Sequence, residues 1–151
     1  MTPTEKDSRL LQLIPHRPPM LLIDQLLALG ANHSSAQVNI TPASSFFVAG
    51  KGVPAWIGLE YMGQTAALIA GFQLEQGLVE PHLGLLLGTR KYTAFTPWFA
   101  PGAQLKITCQ ELAVVGQNLA NFTCDIHDLH TGAALASARL TVFRRSLSHE
   151  V

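Results

Sequence analysis

Charged residues are scarce in this chain, and their scarcity excludes several classes of function. Only 13% of the 151 residues are charged, and ten basic residues balance ten acidic ones. A neutral chain with a pI near 7.0 has no basic surface for nucleic acid and no polybasic segment for an anionic membrane. So low a charge density is typical of a domain whose surface is partly covered by another subunit.

Membrane-spanning segments and targeting signals are also missing. Residues 61–74 are largely apolar and carry no charge, but they are too short to cross about 30 Å of hydrocarbon. Residues 1–19 lack the basic region followed by an apolar region that is typical of a secretory signal. We therefore expect no membrane span and a cytoplasmic location.

The two cysteines are too few for a disulfide framework. If the chain reverses at residues 116–117, Cys109 and Cys124 lie opposite each other on paired strands. In a reducing cytosol we expect both to remain thiols that pack as small apolar groups.

No linker, repeat or low-complexity segment interrupts residues 1–151, so a single domain is predicted. Residues 1–13 are predicted to be a polar tail leading into a short helix capped by Ser8. Residues 33–40 alternate as a strand does, whereas the apolar residues 21–30 fit either a strand or a helix.

A long apolar helix is predicted from about Pro54 to Gly77. Apolar and small residues surround most of it, which predicts burial on nearly all sides. Within residues 53–72 the single charged residue is Glu60. A carboxylate in such a segment requires either a structural partner or a function.

Strands are predicted after the helix, separated by a proline-rich bend and polar turns. They span residues 82–95, 103–115, 118–129 and 133–145. Because helix and strands are segregated along the chain, the predicted class is α+β. One curled antiparallel sheet around a single helix satisfies all of these patterns.

Three segments resemble the hot-dog-fold 3-hydroxyacyl-acyl-carrier-protein dehydratases. Residues 13–27 (LIPHRPPMLLIDQLL) are similar to that family's LPHRYPFLLVDRV-type opening. Residues 46–67 resemble its PFFxGHFPGxPxxPGVLxxEAMAQ segment, and residues 88–105 resemble its GIDxARFxxPVxPGDxL stretch. The sequences PHRPPM and GLEYMGQTAA are most similar to the ApeP-like branch, which is associated with aryl polyene biosynthesis.

The resemblance implies a hot-dog sheet around the helix and two subunits, identical or different, paired edge to edge. It also implies a substrate held as a thioester on the phosphopantetheine arm of an acyl carrier protein. In the family a loop histidine and a helix carboxylate, contributed by different subunits, together eliminate water. The reaction is the reversible dehydration of a 3-hydroxyacyl thioester to a trans-2-enoyl thioester.

Site residues follow from the same resemblance. Glu60 aligns with the helix carboxylate, Gln64 is placed to orient it by an i, i+4 hydrogen bond, and Gly58 is a candidate oxyanion donor through its amide. An acyl tunnel is expected along four aromatic side chains, for which core packing is the alternative. These are Phe46, Phe47, Trp56 and Tyr92.

The loop that should carry the family's histidine has none, since residues 46–52 read FFVAGKG. Three explanations fit. In the first, a related subunit supplies the histidine and Glu60 completes the site of that subunit. In the second, His16 or His82 substitutes as the base. In the third, the chain is a thioesterase whose carboxylate activates water. A non-catalytic structural partner of an active dehydratase is a further alternative.

No metal or other cofactor is expected. Residues 127–130 (HDLH) fall on a predicted turn without the further ligands that zinc or iron needs. No GxGxxG, P-loop or GxSxG pattern occurs.

Arg17 is expected to fix its own loop through a carboxylate such as that of Asp24. Three arginines are candidates to attract an acidic carrier protein: Arg139, Arg144 and Arg145.

Overall fold

The computed structural model describes residues 5–79, 82–112 and 119–146. Two helices and eight strands occur within these ranges, and a 3₁₀ turn at Ala55–Ile57 leads into the second helix. The helices are α1 (Ser8–Leu13) and α2 (Gly58–Glu75), and the strands are β1 (Gln25–Leu29), β2 (His33–Asn39), β3 (Val53–Pro54), β4 (His82–Ala94), β5 (Trp98–Phe99), β6 (Gln104–Glu111), β7 (Leu119–Asp128) and β8 (Ala134–Ser146).

Six strands form one antiparallel sheet in the order β1-β2-β6-β7-β8-β4, and β3 pairs separately with β5. Helix α2 contacts all six strands of the large sheet, so the sheet curls around it. The predicted α+β class is confirmed. β1 and β4 lie at the two edges of this sheet.

The core forms because the strands alternate between inward and outward residues. In β7, Ala120, Phe122, Cys124 and Ile126 are buried at every second position. They face the buried side of α2, and each large apolar side chain removed from water contributes about 1.5–3 kcal/mol. The long strands predicted from this alternation are present, and the ambiguous residues 21–30 contain strand β1.

The two cysteines are directly opposed on β6 and β7, as predicted. Both are buried free thiols, with their Sγ atoms 3.0 Å apart. Burial, and then the neighbouring thiol, raise the pKa of Cys109, so it stays protonated and packs as an apolar group. The predicted turn at residues 116–117 lies outside the described residues.

Helix α1 is capped by Asp7, so the prediction of Ser8 as the cap is wrong. One carboxylate oxygen of Asp7 accepts the amide of Arg9 at 2.9 Å, and the other accepts the amide of Leu26 at 3.0 Å. Asp7 therefore satisfies a free helix donor and a donor of β1 together, one with each carboxylate oxygen. Arg9 also joins the helices by a bidentate ion pair with Glu75, both distances being 2.6 Å.

Helix α2 is not wrapped on all sides, contrary to the expectation from its apolar residues. Glu60 is exposed, and Gly63 and Ala67, on the same face of the helix, are only half-buried. The sheet covers the opposite face, while residues 13–22 cross this one and cover only part of it. The helix also begins at Gly58 rather than near Pro54, because the 3₁₀ turn precedes it.

Two glycines of α2 provide a matched test of this covering. A Cβ at Gly71 would overlap the carbonyl oxygen of Leu13, whereas a Cβ at Gly63 would meet nothing within 4 Å. Alanine favours a helix by about 1 kcal/mol over glycine. We expect Gly63→Ala to raise the free energy of unfolding in urea by up to that amount. We expect Gly71→Ala to lower it by about 1–3 kcal/mol through overpacking. Equal changes in the two variants would contradict the described packing.

Candidate functional site

Glu60 lies in the first turn of α2 with its side chain exposed on the surface of this chain. Its Oε1 accepts a hydrogen bond from Nε2 of Gln64 at 3.1 Å, which is the predicted i, i+4 contact. The expectation of a carboxylate enclosed in an apolar tunnel is therefore not met within one chain. The carboxylate instead lies at an open face of the helix.

Gln64 is buried and held from two directions. Its Nε2 also donates to the carbonyl of Met20, and its Oε1 accepts the amide of Leu22, both at 2.8 Å. These two backbone contacts determine which way the amide group faces. Gln64 consequently presents an N–H to Glu60 and links the carboxylate to the loop of residues 13–22.

Exposed aromatic rings flank the carboxylate. Trp56, one helical turn before Glu60, is 66% exposed, and Phe46 is 54% exposed. The two ring centroids lie 6.1 Å apart. On the other side of Glu60 the space beside Gly63 is open. An acidic group bordered by exposed aromatic side chains is typical of a surface that another molecule covers.

The other two predicted tunnel residues take part in packing. Phe47 is half-buried against the core. The hydroxyl of Tyr92 donates to the carbonyl of Ala55, and burial raises its pKa to about 12. Strand β4 is thereby joined to the 3₁₀ turn that precedes Glu60.

Gly58 is required for close packing, since a Cβ there would overlap the hydroxyl of Tyr92 and lie 2.9 Å from Cδ1 of Ile126. Its amide donates to the carbonyls of Ala55 and Trp56, because the 3₁₀ turn continues into the helix. This amide is therefore already engaged within its own chain. A role for Gly58 as an oxyanion donor stays a prediction.

The loop aligned with the family's histidine is closed on itself. The amide of Val48 donates to the carbonyl of Gly52 at 2.7 Å, and the reverse bond measures 2.9 Å. The titratable side chain of this turn belongs to Lys51, whose Nζ lies 5.3 Å from the ring centroid of Trp98. The turn therefore contributes a cation stacked on an aromatic ring rather than an imidazole base.

His16 lies in a loop that is anchored on α2. Its Nδ1 is buried and has no hydrogen-bond partner in the part of the chain that the structure describes. Arg17 donates to the carbonyls of Leu11, Ile14 and His16, so the predicted contact with Asp24 is wrong. His16 as a substitute base stays a prediction, and the side chain of the alternative, His82, lies outside the described part.

A cavity of about 400 Å³ is lined in part by residues of the same loop. None of the four aromatics predicted for the tunnel lines it. Tyr61, which immediately follows Glu60, is at its wall together with Leu21 and Leu22. Sequence reasoning overlooked Tyr61, although a tyrosine in an otherwise apolar helix was a usable signal.

Neither a metal site nor a membrane-spanning helix is present in the described ranges. They contain no cluster of three or more metal-ligating side chains. No helix in them is long and apolar enough to cross a membrane. In the predicted turn, Asp128 accepts the amides of His130 and Thr131 at 2.9 Å, and these bonds hold the pKa of its carboxyl below the usual value.

Comparison with known proteins adds independent findings. The model of the ApeP-like family, described as ApeP dehydratase, matches residues 8–151. The chain is 33% identical over 115 residues to the 3-hydroxyacyl-[acyl-carrier-protein] dehydratase FabZ of Chlamydia abortus, covering 72% of this chain and 73% of that protein. It is 35% identical over 114 residues to FabZ of Chlamydia caviae, with coverages of 72% and 73%.

Solved structures agree on the fold. The dehydratase heterocomplex ApeI:P from Xenorhabdus doucetiae contains a chain with a TM-score of 0.78, 24% identity and 92% coverage of both chains. A hypothetical thioesterase with coenzyme A from Streptococcus pneumoniae has a TM-score of 0.64 and 13% identity, covering 81% and 85% of the two chains. At these identities the similarity concerns the fold, and it confirms the predicted hot-dog architecture.

Gln64 can be tested against a second buried glutamine of the same helix. Gln73 is also buried, and its Nε2 donates to the carbonyl of Ala31 at 2.7 Å and to Glu111 at 3.0 Å. Replacing either by leucine removes two or three part-buried hydrogen bonds, so each variant should lower the free energy of unfolding by about 1–3 kcal/mol.

Of the two variants, Gln64→Leu alone should also lower dehydratase turnover, because Gln64 contacts Glu60 and Gln73 contacts Ala31 and Glu111 instead. Turnover of a crotonyl thioester is measured well below the unfolding temperature of either variant, alongside a urea unfolding curve. An equal loss of turnover in Gln73→Leu would contradict a positioning role for Gln64.

Proposed function

We propose that this chain, which belongs to the family of ApeP-like dehydratases, is a subunit that acts on 3-hydroxyacyl thioesters carried by an acyl carrier protein. Glu60 is the carboxylate of the reaction. The histidine that its own loop lacks comes from a second hot-dog subunit. The active site is therefore shared between two chains.

The single observation that carries this proposal is the setting of Glu60. The carboxylate is oriented by a buried glutamine, yet it is exposed and bordered by the exposed rings of Trp56 and Phe46. An oriented acid on an uncovered apolar surface is half of a site, and a second subunit would supply the cover and the missing base.

The edge strand supports the position of that second subunit. Within the described residues β4 has one neighbour in the sheet, β8, and its other edge is available for pairing. Because Tyr92 of β4 contacts Ala55, just ahead of Glu60 in the chain, a subunit added along β4 would also reach the carboxylate. The name of the similar structure from Xenorhabdus, a dehydratase heterocomplex, supports two different chains.

The elimination is divided between the two side chains. The partner's histidine takes a proton from C2 of the 3-hydroxyacyl thioester, and the C2–C3 double bond forms as the C3–O bond breaks. Glu60 delivers a proton to the departing hydroxyl, which leaves as water. In the reverse direction Glu60 takes a proton from water as the hydroxyl adds to C3.

Exposed cations on the sheet support docking of an acidic carrier protein. Lys91 of β4 and Arg139 of β8 are directly paired across the two strands, and both are exposed. The side chains of the other two predicted arginines, Arg144 and Arg145, lie outside the described part of the chain.

Substitution of Glu60 in the assembled enzyme tests the proposal. The chain is purified from its own host with a tag, and native mass spectrometry determines whether a histidine-bearing hot-dog subunit accompanies it. Hydration of a crotonyl thioester is then assayed for this chain alone and for the assembly. We expect activity in the assembly alone, and Glu60→Gln should lower kcat by about 10²–10⁴-fold, the usual contribution of a general acid or base.

Glu75→Gln is the matched control, because Glu75 lies at the far end of the same helix and pairs with Arg9. It should leave kcat unchanged, and both variants should retain the mass of the assembly. Full activity in the Glu60→Gln assembly would identify this chain as a structural partner. Release of free thiol from an acyl thioester by the chain alone would identify a thioesterase and overturn the dehydratase proposal.

A further inference from the structure

The cavity beside Tyr61 is distinct from the exposed face of α2 that carries Glu60. Its volume of about 400 Å³ falls within the range of roughly 300–1,000 Å³ that small-molecule sites occupy. Neither Glu60 nor Gln64 is among its lining residues. Its apolar wall includes Pro18, Leu21, Leu22 and Val38.

The charges of the cavity neutralise each other. Nζ of Lys6 lies 2.6 Å from Oδ1 of Asp24, and Oδ2 of Asp24 accepts the amide of Asn39 at 2.7 Å. Because Asp24 is buried and fully engaged, it is not free to attract a cation, and its partner is not free to attract an anion. This arrangement favours an uncharged occupant.

The hydroxyl groups of the neighbouring turn are also engaged. Oγ of Ser44 donates to the carbonyl of Asn39 at 3.1 Å and accepts the amide of Thr41 at 2.9 Å. Oγ1 of Thr41 accepts the amide of Ala43 at 3.2 Å. The Ser44 hydroxyl is therefore occupied as donor and acceptor, whereas the Thr41 hydroxyl accepts a hydrogen bond and keeps its own O–H.

Tyr61 carries the most deeply buried hydroxyl donor of the cavity wall. Its side chain is 2% exposed, and its ring lies 5.9 Å from that of Phe99, so its position is determined by packing. Its hydroxyl makes no hydrogen bond to any residue of the described ranges. Burial, and then the carboxylate of Asp24, raise its pKa, so the group remains a neutral O–H donor. A fixed and unengaged donor in a cavity wall is a recognition element.

We propose that this cavity binds an uncharged group with an apolar body and one hydrogen-bond acceptor, to which the Tyr61 hydroxyl donates. Two sources supply such a group: the far end of a carrier-bound acyl chain, or a free small molecule. The acyl chain as the source of this group rests on the function proposed above. The binding of such a group in the cavity does not depend on that function.

Two probes of equal size test the binding. Acetophenone and α-methylstyrene share shape and heavy-atom number, but only acetophenone has a carbonyl acceptor. Methyl-labelled protein reports the site directly, because Leu21, Leu22 and Val38 line the cavity. Both probes should shift these methyl signals, and acetophenone should bind more tightly.

Tyr61→Phe retains the ring and removes the donor. It should weaken acetophenone about 2- to 13-fold, the loss expected for one neutral hydrogen bond, and leave α-methylstyrene unchanged. Tyr92→Phe is the control, since it removes a hydroxyl that is engaged by Ala55 and lies outside the cavity. It should leave acetophenone binding unchanged.

Unshifted methyl signals, equal affinities for the two probes, or an unaltered acetophenone affinity in Tyr61→Phe would each overturn the proposal. If Tyr61→Phe does not fold, the comparison of the two probes on the unaltered chain still decides. All of these measurements use binding rather than turnover, so a failure of the proposed dehydratase function would leave them unaffected.

A thioester probe distinguishes the sources. N-acetylcysteamine carrying a 3-hydroxy-7-oxooctanoyl group places a ketone at the far end of an acyl chain. Displacement of acetophenone by this thioester in the assembled enzyme assigns the cavity to the acyl chain. If acetophenone binds and the thioester does not displace it, the acyl chain is overturned as the source and the cavity is assigned to a free small molecule.

Discussion

The contact on which the site depends is the hydrogen bond between Gln64 and Glu60. By itself an exposed carboxylate can adopt many orientations. Here the glutamine amide is already held by the backbone of Met20 and Leu22, so it offers its N–H in one direction. The orientation of the acid therefore follows from the path of residues 13–22 across α2, and the same loop forms a wall of the adjacent cavity.

A second constraint is that one chain leaves this acid uncovered. The sheet encloses the opposite side of α2, and the small side chains near Glu60 leave space that nothing else in the described part of the chain fills. The turn at Val48–Gly52 is closed by its own hydrogen bonds and holds a lysine against Trp98. The proposed shared site would explain both features, because a second chain would bring the apolar cover and the base together.

Several features were predictable because they depend on the local period of the backbone. A helical repeat of 3.6 residues places Gln64 one turn beyond Glu60, and the expected hydrogen bond is present. A chain reversal at residues 116–117 predicted Cys109 opposite Cys124, and the alternating pattern predicted the long strands around the helix. The resemblance of three segments to a dehydratase family indicated the same fold, which the comparisons confirm.

By itself, then, the amino-acid sequence determined the order of elements, the α+β class and the neighbours of Glu60 along its own helix, because these follow from spacing along the chain. Only the tertiary structure decided that Glu60 is exposed, that the amide of Gly58 is engaged, and that Tyr61 faces a cavity. These properties depend on which distant segments, such as residues 13–22 and the 3₁₀ turn, pack against a residue. The local periodicity of the sequence does not predict which distant segments pack against a residue.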